Sequence, residues 1–208
     1  MVGIAGLAFW LRGWVLDGFV LAIVLGVLVE WAKLAFSFER RPVHRFAWLA
    51  AGVLYLGMAA YAALVALAPV KLVFPVQFEF WPLPTVVAAV IGVDVGAYFA
   101  GRTFKGPKIA PAISPSKTWS GLGGGIVGAT GMVLLLSNNA PARALAIGLL
   151  IAVVAQSGDF FESWMKRRAG VKDSGSLIPG HGGLFDRADG LIAVLFVIGI
   201  IGLVTHVS

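Results

Sequence analysis

The stretch AWLAAGVLYLGMAAYAALVALAPV, residues 47–70, contains no charged side chain. A helix that crosses the roughly 30 Å hydrocarbon layer of a membrane needs about 20 apolar residues, so this stretch is long enough to span it. Five further apolar stretches of similar length precede or follow it in the chain. Because a helix satisfies its own backbone in lipid, we predict helical spans. They lie at about 15–36, 47–70, 80–101, 118–142, 144–165 and 190–208.

The composition supports the same fold class. Of 208 residues, 59% are hydrophobic and only 12% are charged, and the mean hydropathy is +0.93. A soluble domain carries about 25% charged residues, so a soluble globular enzyme and a disordered chain are excluded. The absence of cysteine excludes disulfide scaffolds, thiolate catalysis and cysteine-based zinc sites. We predict an all-α integral membrane protein with about six transmembrane helices and loops at the cytoplasmic face. Its expected parts are an N-terminal membrane segment and basic loop (1–46), central transmembrane helices (47–101), and a catalytic transmembrane region with phosphate-binding loops (102–208).

The positive charges fall mostly on one side of the six spans. When loops are assigned to alternate sides, one side receives 13 Lys and Arg residues and the other receives 3, namely Arg12, Lys71 and Arg143. The richer side is expected to face the cytoplasm, with both termini outside. The same rule accounts for the net charge of +6, so no nucleic-acid partner is inferred. Residues 1–11 are expected to form an interfacial or partly inserted segment, with a helical hairpin as the alternative.

The acids gather on that basic side. Six of the ten lie near that side in spans three, five and six or in the loop between the last two: Asp94, Asp159, Glu162, Asp173, Asp186 and Asp189. Carboxylates hold hard divalent cations, and Lys and Arg bind phosphate oxygens, so this mixture indicates a metal-bound phosphate substrate. Two stripes at helical spacing support a shared site: Asp94, Tyr98 and Arg102, and Asp159, Ser163, Lys166 and Arg167. In the alternative, Asp159 only neutralises Lys166 on its own helix, which leaves the carboxylates of the other spans unexplained.

A loop on this side is rich in groups that bind phosphate. Residues 101–118, GRTFKGPKIAPAISPSKT, place Ser114, Lys117 and Thr118 among Gly and Pro. Hydroxyls, lysines and backbone amides together predict a phosphate cradle, although the spacing is not that of a Walker A loop. The glycines that follow predict close helix packing through small residues four apart, Gly121 with Gly125 and Gly124 with Gly128.

A second loop carries the most specific pattern. From Ser163 to Asp189 the chain reads SWMKRRAGVKDSGSLIPGHGGLFDRAD. This resembles the signature of the phosphatidate cytidylyltransferase family, also called CDP-diacylglycerol synthases. The stretches DVGAYFAGR and ISPSKTWSG resemble further blocks of that family, and a weaker resemblance extends back to Glu30 and Trp31. One departure is Ser120, where the family usually has Glu.

The resemblance implies a reaction between CTP and phosphatidic acid that gives CDP-diacylglycerol and pyrophosphate. It implies Mg²⁺ held by Asp159 and Asp186, with a second cation such as K⁺ beside it as an option. The catalytic candidates are Lys166, Arg167, Asp173, His181, Arg187 and Asp189. Among these, Asp173 and Asp189 are candidate additional or outer ligands, and His181 either binds phosphate or carries a proton. The substrate-binding candidates are Asp94, Tyr98, Arg102, Ser114, Lys117, Thr118, Ser163, Lys172, Gly182 and Gly183.

The expected location is the inner membrane, with the site on the cytoplasmic side, where it meets both CTP and the lipid bilayer. A homodimer remains open. Two other functions also remain open. The first is transfer from CTP to another lipid phosphate, from an isoprenoid or an ether lipid. The second is an ion transporter, because intramembrane carboxylates also mark ion paths. The alcohol phosphotransferases that consume CDP-diacylglycerol are excluded, because their motif is absent.

Overall fold

A computed structural model describes residues 14–67, 82–177 and 182–207. The described part contains six helices, each long and apolar enough to cross a membrane, which confirms the predicted all-α integral membrane fold. Their bounds are α1 (Trp14–Phe38), α2 (Pro42–Leu67), α3 (Leu83–Phe104), α4 (Trp119–Leu136), α5 (Pro141–Ala169) and α6 (Phe185–Val207). The predicted segment 1–11 lies outside the described residues, and so does His181.

Local sequence sets the limits of α4 and α5. Thr118 caps the first turn of α4, because its Oγ1 accepts a hydrogen bond of 3.0 Å from the backbone N–H of Gly121. The longest helix, α5, begins with Pro141 in its first turn and ends at Gly170, whose φ of 70° terminates it. The extra turn beyond the predicted end at residue 165 carries Lys166 and its neighbours on the helix.

A short β-hairpin joins α3 to α4, where the sequence predicted only a loop. Strand β1 (Lys108–Ala110) pairs antiparallel with β2 (Ser114–Thr118), and Lys108 lies opposite Thr118. The chain leaves α3 through positive φ angles at Lys105 and Gly106. The side-chain hydroxyl of Ser120 donates to the carbonyl of Lys105, which holds the base of the hairpin against α4. The segment predicted to bind phosphate therefore forms a hairpin whose base is bonded to α4.

Helices α3 and α4 approach closely through glycines. A Cβ at Gly128 would overlap the carbonyl of Gly92, and a Cβ at Gly124 would overlap the carbonyl of Gly96. The contact confirms the packing role predicted for Gly124 and Gly128, and it shows that the partner glycines are also four residues apart. Backbones this close leave no room for side chains between them, so α3 and α4 form one unit.

An aromatic cluster packs α1 against α2, α5 and α6. At its centre the Trp31 ring lies 5.5–6.0 Å from the rings of Trp48, Tyr55, Phe161 and Phe185. The indole N–H of Trp31 donates to the carbonyl of Trp48 at 2.9 Å. This packing brings the second half of α1 beside the start of α6, the region in which the predicted site residues lie.

Candidate active site

A polar cavity of about 550 Å³ opens between α3, the hairpin and α5. Six of the predicted site residues line it: Asp94, Tyr98, Arg102, Lys117, Thr118 and Asp159. Lys108, Ser116 and Gln156 line it as well. The cavity therefore collects two carboxylates, three cationic side chains and two hydroxyl-bearing residues of the hairpin.

The wall formed by α3 follows the predicted helical stripe. The Arg102 guanidinium donates a hydrogen bond of 2.8 Å to the Tyr98 hydroxyl, one turn away. Asp94 lies about ten residues before the end of α3 at Phe104, which is about 15 Å along the axis. Asp159 has the same spacing from the end of α5 at Ala169. The cavity floor is therefore recessed from the helix ends.

The ammonium group of Lys117 on β2 forms an ion pair with Asp159 on α5. Its nitrogen also lies 5.2 Å from the centre of the Phe160 ring. This pair ties the hairpin to α5 at the cavity. The alternative in which Asp159 merely neutralises Lys166 on its own helix does not describe the observed contacts.

Lys166 has different partners. Its Nζ lies 2.6 Å from Oδ1 of Asp186 and 2.5 Å from Oε2 of Glu162. Glu162 is 1% exposed, and its Oε1 is buried with no hydrogen-bond partner. One lysine therefore balances two carboxylates from two helices, and one acceptor oxygen beside them remains unused.

The second oxygen of Asp186 gathers three donors from the loop before α6. Its Oδ2 accepts from the backbone N–H of Ser174 at 2.8 Å, the Ser174 hydroxyl at 2.8 Å and the N–H of Gly183 at 2.9 Å. A Cβ at Gly183 would overlap the Ser174 hydroxyl, so only glycine fits there. Gly183, a predicted substrate-binding residue, thus closes the loop around Asp186.

Close packing of α5 on α6 brings the two clusters together. The backbone carbonyl of Asp189 lies against Gly158, where a Cβ would approach it to 2.7 Å. Oδ1 of Asp159 lies 3.1 Å from the position of a Cβ on Gly190. Asp159 and Asp189 therefore lie where α5 crosses α6. Asp159 also lines the cavity.

The sequence model described as "Cytidylyltransferase family" matches residues 64–204. This match extends over more than half of the chain. It includes the cavity and the acids Asp159, Glu162, Asp186 and Asp189. The chain belongs to the cytidylyltransferase family. The family assigned from the sequence motifs is thereby confirmed.

The chain is similar to several bacterial phosphatidate cytidylyltransferases. A phosphatidate cytidylyltransferase of Brucella melitensis is 42% identical over 159 residues, which cover 74% of this chain and 57% of the relative. One of Rickettsia felis is 41% identical over 136 residues, covering 58% of this chain and 60% of the relative. One of Rickettsia prowazekii is 45% identical over 112 residues, covering 48% of this chain and 49% of the relative. The chain therefore spans about half the length of these relatives.

Other candidates in this cytidylyltransferase-family chain lie at the edge of the site. The Arg167 side chain donates to the carbonyl of Ile113 in the hairpin turn at 3.4 Å. Ser114 is buried in β2 and is not among the cavity-lining residues, whereas Ser163 lies on α5 one turn beyond Asp159. Three further candidates are exposed on the loop or at the start of α6: Lys172, Asp173 and Arg187.

Three further residues of the site, besides Lys108 and Ser116 in the cavity wall, were not among the sequence-based candidates. Gln156 lines the cavity from α5, and its buried Oε1 has no hydrogen-bond partner. Ser174 belongs to the loop before α6, and its hydroxyl lies within hydrogen-bond distance of both Glu30 on α1 and Asp186. Ser174 lies inside the signature stretch 163–189, and Glu30 lies where the weaker resemblance begins, but no sequence pattern indicated a role for Gln156.

The site offers carboxylate donors for a divalent cation but no ready-made set of ligands among the described residues. Within residues 14–67, 82–177 and 182–207, no group of three or more His, Asp and Glu is close enough to hold a metal by itself. The predicted ligands form ion pairs with lysines instead, Asp159 with Lys117 and Asp186 with Lys166. Carboxylate oxygens are the donors a hard cation prefers, and Glu162 offers an unused buried oxygen beside Asp186. A cation held by two carboxylates would take its remaining ligands from a phosphate substrate or water.

Proposed function

We propose that this chain transfers the cytidylyl group of CTP to phosphatidic acid. An oxygen of the lipid phosphate attacks the α-phosphorus of CTP. The bond from that phosphorus to the bridging oxygen breaks, and pyrophosphate leaves with the bond's electrons. The products are CDP-diacylglycerol and pyrophosphate. No strong general base is needed, because a phosphomonoester is already largely ionised near pH 7.

The observation that carries this proposal is the placement of two cavities on either side of α5. Asp159 lines the polar cavity, whereas the preceding residue, Gly158, lines an apolar groove of about 520 Å³. The groove is walled by aromatic rings, including Trp31, Tyr55 and Phe161. The polar cavity suits a nucleoside triphosphate, and the apolar groove suits a lipid acyl chain. The reacting phosphates would then meet near Asp159.

The charges of the polar cavity suit an anionic ligand. Arg102, Lys108 and Lys117 line it, and these side chains bind phosphate oxygens and neutralise charge that develops at the reacting phosphorus. A path for cations would not be expected to have three positive side chains along its wall. The cavity therefore favours phosphoryl-type chemistry over the transporter alternative.

A divalent cation, Mg²⁺ in our proposal, would supply charge neutralisation of the triphosphate when held by Asp159 and Asp186. Around it, Lys117 and the hairpin hydroxyls would orient the triphosphate. Lys166 would balance Asp186 and the entering lipid phosphate. Asp189, beside Asp159, and Asp173, on the loop, are the candidate additional ligands. A second cation such as K⁺ and a homodimer are further parts of the proposal that need their own tests.

The site would face the cytoplasm from the inner membrane. The ends of α1, α3 and α5 and the starts of α2, α4 and α6 carry most of the basic residues, which the positive-inside rule assigns to that side. CTP would enter from the cytosol. The lipid would present its phosphate at the interface while its acyl chains stay in the bilayer.

The test is an assay of the purified chain in proteoliposomes that contain phosphatidic acid. CDP-diacylglycerol should form with CTP and Mg²⁺ and should stop when the cation is chelated. Asp159→Asn and Asp186→Asn should each lower turnover at least about 10²-fold, because each removes a charge that holds the reacting groups. Asp17→Asn, an exposed acid at the other end of α1, is the matched control and should keep the wild-type rate.

Near-normal turnover in both Asn variants would show that the cation assignment is wrong. Replacing phosphatidic acid by an isoprenoid phosphate or an ether-lipid phosphate separates the proposed substrate from the alternative lipid phosphates. A higher rate with either of them would overturn the choice of phosphatidic acid.

A further inference from the structure

Glu30 is a fully buried carboxylate in α1, with 0% of its surface exposed. It lies outside residues 64–204, the part of the chain that matches the family model. Burying a carboxylate costs free energy unless hydrogen-bond donors surround it, so the donors around Glu30 matter for the stability of the fold. Those contacts lead directly to the candidate active site.

Glu30 binds the start of α6. Its Oε1 accepts from the backbone N–H of Leu184 at 3.0 Å, and its Oε2 accepts from the N–H of Phe185 at 2.8 Å. The first N–H groups of a helix have no partner within the helix, and the helix dipole favours a negative charge there. Glu30 therefore fixes the position and direction of α6 one residue before Asp186.

The same carboxylate reaches Asp186 through Ser174. The Ser174 hydroxyl lies 3.1 Å from Oε2 of Glu30 and 2.8 Å from Oδ2 of Asp186. This hydroxyl has one proton and stands between two carboxylates, so the two acceptors share or exchange it. A change at Glu30 therefore alters the hydrogen bonding of Asp186 without touching it directly.

The loop backbone is closed tightly around Glu30. A Cβ at Gly175 would overlap the Glu30 carboxylate. A Cβ at Gly183 would stand 2.8 Å from both Oε2 of Glu30 and Oδ2 of Asp186. On its other side, the adjacent Trp31 is held in the aromatic cluster. Glu30 thus has little freedom to move, and the loop has little freedom to move away from it.

We infer that Glu30 is a positioning residue that sets the geometry of Asp186 and thereby the affinity of the site for a divalent cation. The inference rests on the proposed role of Asp186 as a cation ligand. Groups that orient metal ligands typically change metal affinity by about 10–100-fold when they are removed. Helix α1, which contributes no side chain to the polar cavity, would then be part of the catalytic machinery through one carboxylate.

The test measures Mn²⁺ binding by electron paramagnetic resonance on the purified full chain in detergent, without CTP or lipid. Glu30→Gln keeps the shape of the side chain but replaces one carboxylate oxygen by an amide NH2 group, so the N–H of Leu184 or of Phe185 would face another donor. Its Mn²⁺ dissociation constant should rise about 10–100-fold. Asp17→Asn removes the same charge from the same helix and should leave the constant unchanged.

Ser174→Ala provides a second variant should Glu30→Gln fail to fold. It removes the shared hydroxyl but leaves the bonds from Glu30 to α6, and it should weaken Mn²⁺ binding in the same direction. Mn²⁺ binding within twofold of wild type in the folded variants would overturn the inference, and so would a wild-type protein that binds no Mn²⁺.

The assay also separates this inference from the proposed function. Should Glu30→Gln lose Mn²⁺ while the wild type binds it but forms no CDP-diacylglycerol, the positioning role stands and the proposed reaction fails. Should the wild type make CDP-diacylglycerol while Glu30→Gln binds Mn²⁺ normally, the reaction stands and the positioning role fails. In active protein, Glu30→Gln should raise the Mg²⁺ concentration for half-maximal rate more than it raises the KM for CTP.

Discussion

Lys166 is the side chain on which the charge balance of the site depends. Its ammonium group lies within 2.6 Å of carboxylate oxygens from Glu162 on α5 and Asp186 on α6. All three side chains are largely buried, so neither acid can rely on water for solvation. Removing one partner of a buried ion pair leaves an uncompensated charge, which costs much more than the pair itself contributes.

Lys166→Met should therefore destabilise the protein as well as inactivate it. We expect the free energy of unfolding to fall by about 3–5 kcal/mol, because two buried acids lose their shared cation. Thermal unfolding in detergent measures this. Lys172→Met, at an exposed loop position, is the control and should unfold like the wild type. Equal unfolding temperatures for the two variants would contradict the role given to Lys166.

Among the described helices, α3 and α4 make the closest backbone contact. Gly92 and Gly96 face Gly128 and Gly124, and the backbones meet without intervening side chains. Because α3 carries Asp94 and Arg102, and α4 follows directly from the hairpin with Lys117, this contact sets the width of the polar cavity.

Gly124→Ala should separate these helices, because the new Cβ would overlap the carbonyl of Gly96 and the side chain of Ala100. We expect a loss of about 1–3 kcal/mol in the free energy of unfolding, the usual cost of overpacking. Gly123→Ala is a matched control on the same helix, since nothing lies within 4 Å of its new Cβ. Chemical or thermal denaturation in detergent compares them, and equal stability of the two variants would refute the close contact.

The helices could be predicted from sequence because hydrophobic length determines a membrane span. All six were located, whereas the side of the membrane inferred from the basic residues stays a prediction. The hairpin was missed because both strands are short. Strand Lys108–Ala110 has only three residues, and Ser114–Thr118 is polar and contains a proline, so neither shows a run of alternating apolar residues. Glu30 and Gln156 were missed because their roles depend on packing between helices distant in sequence, which local patterns do not encode.

At the scale of the whole molecule, the helix ends that carry the site should all face one side of the membrane. The hairpin turn between α3 and α4 belongs to this side, and the turn between α4 and α5 belongs to the other. The chain contains no cysteine, so single cysteines introduced into it report their own position without background.

Ala112→Cys in the hairpin turn and Asn138→Cys between α4 and α5 make this comparison, and both positions are exposed. In sealed inverted inner-membrane vesicles, a membrane-impermeant maleimide should label Ala112→Cys and should not label Asn138→Cys until detergent is added. Labelling of both from one side, or of Asn138→Cys alone, would contradict the proposed orientation.

The measurement that tests the central claim most directly follows the phosphorus atoms of CTP. Proteoliposomes with phosphatidic acid and Mg²⁺ receive CTP labelled with ³²P at either the α or the γ position, and the label is traced in the extracted lipid. Label from the α position should enter the lipid and label from the γ position should appear in pyrophosphate, with Asp159→Asn giving neither. Lipid labelled from the γ position, or unlabelled by folded wild-type protein, would contradict cytidylyl transfer at this site.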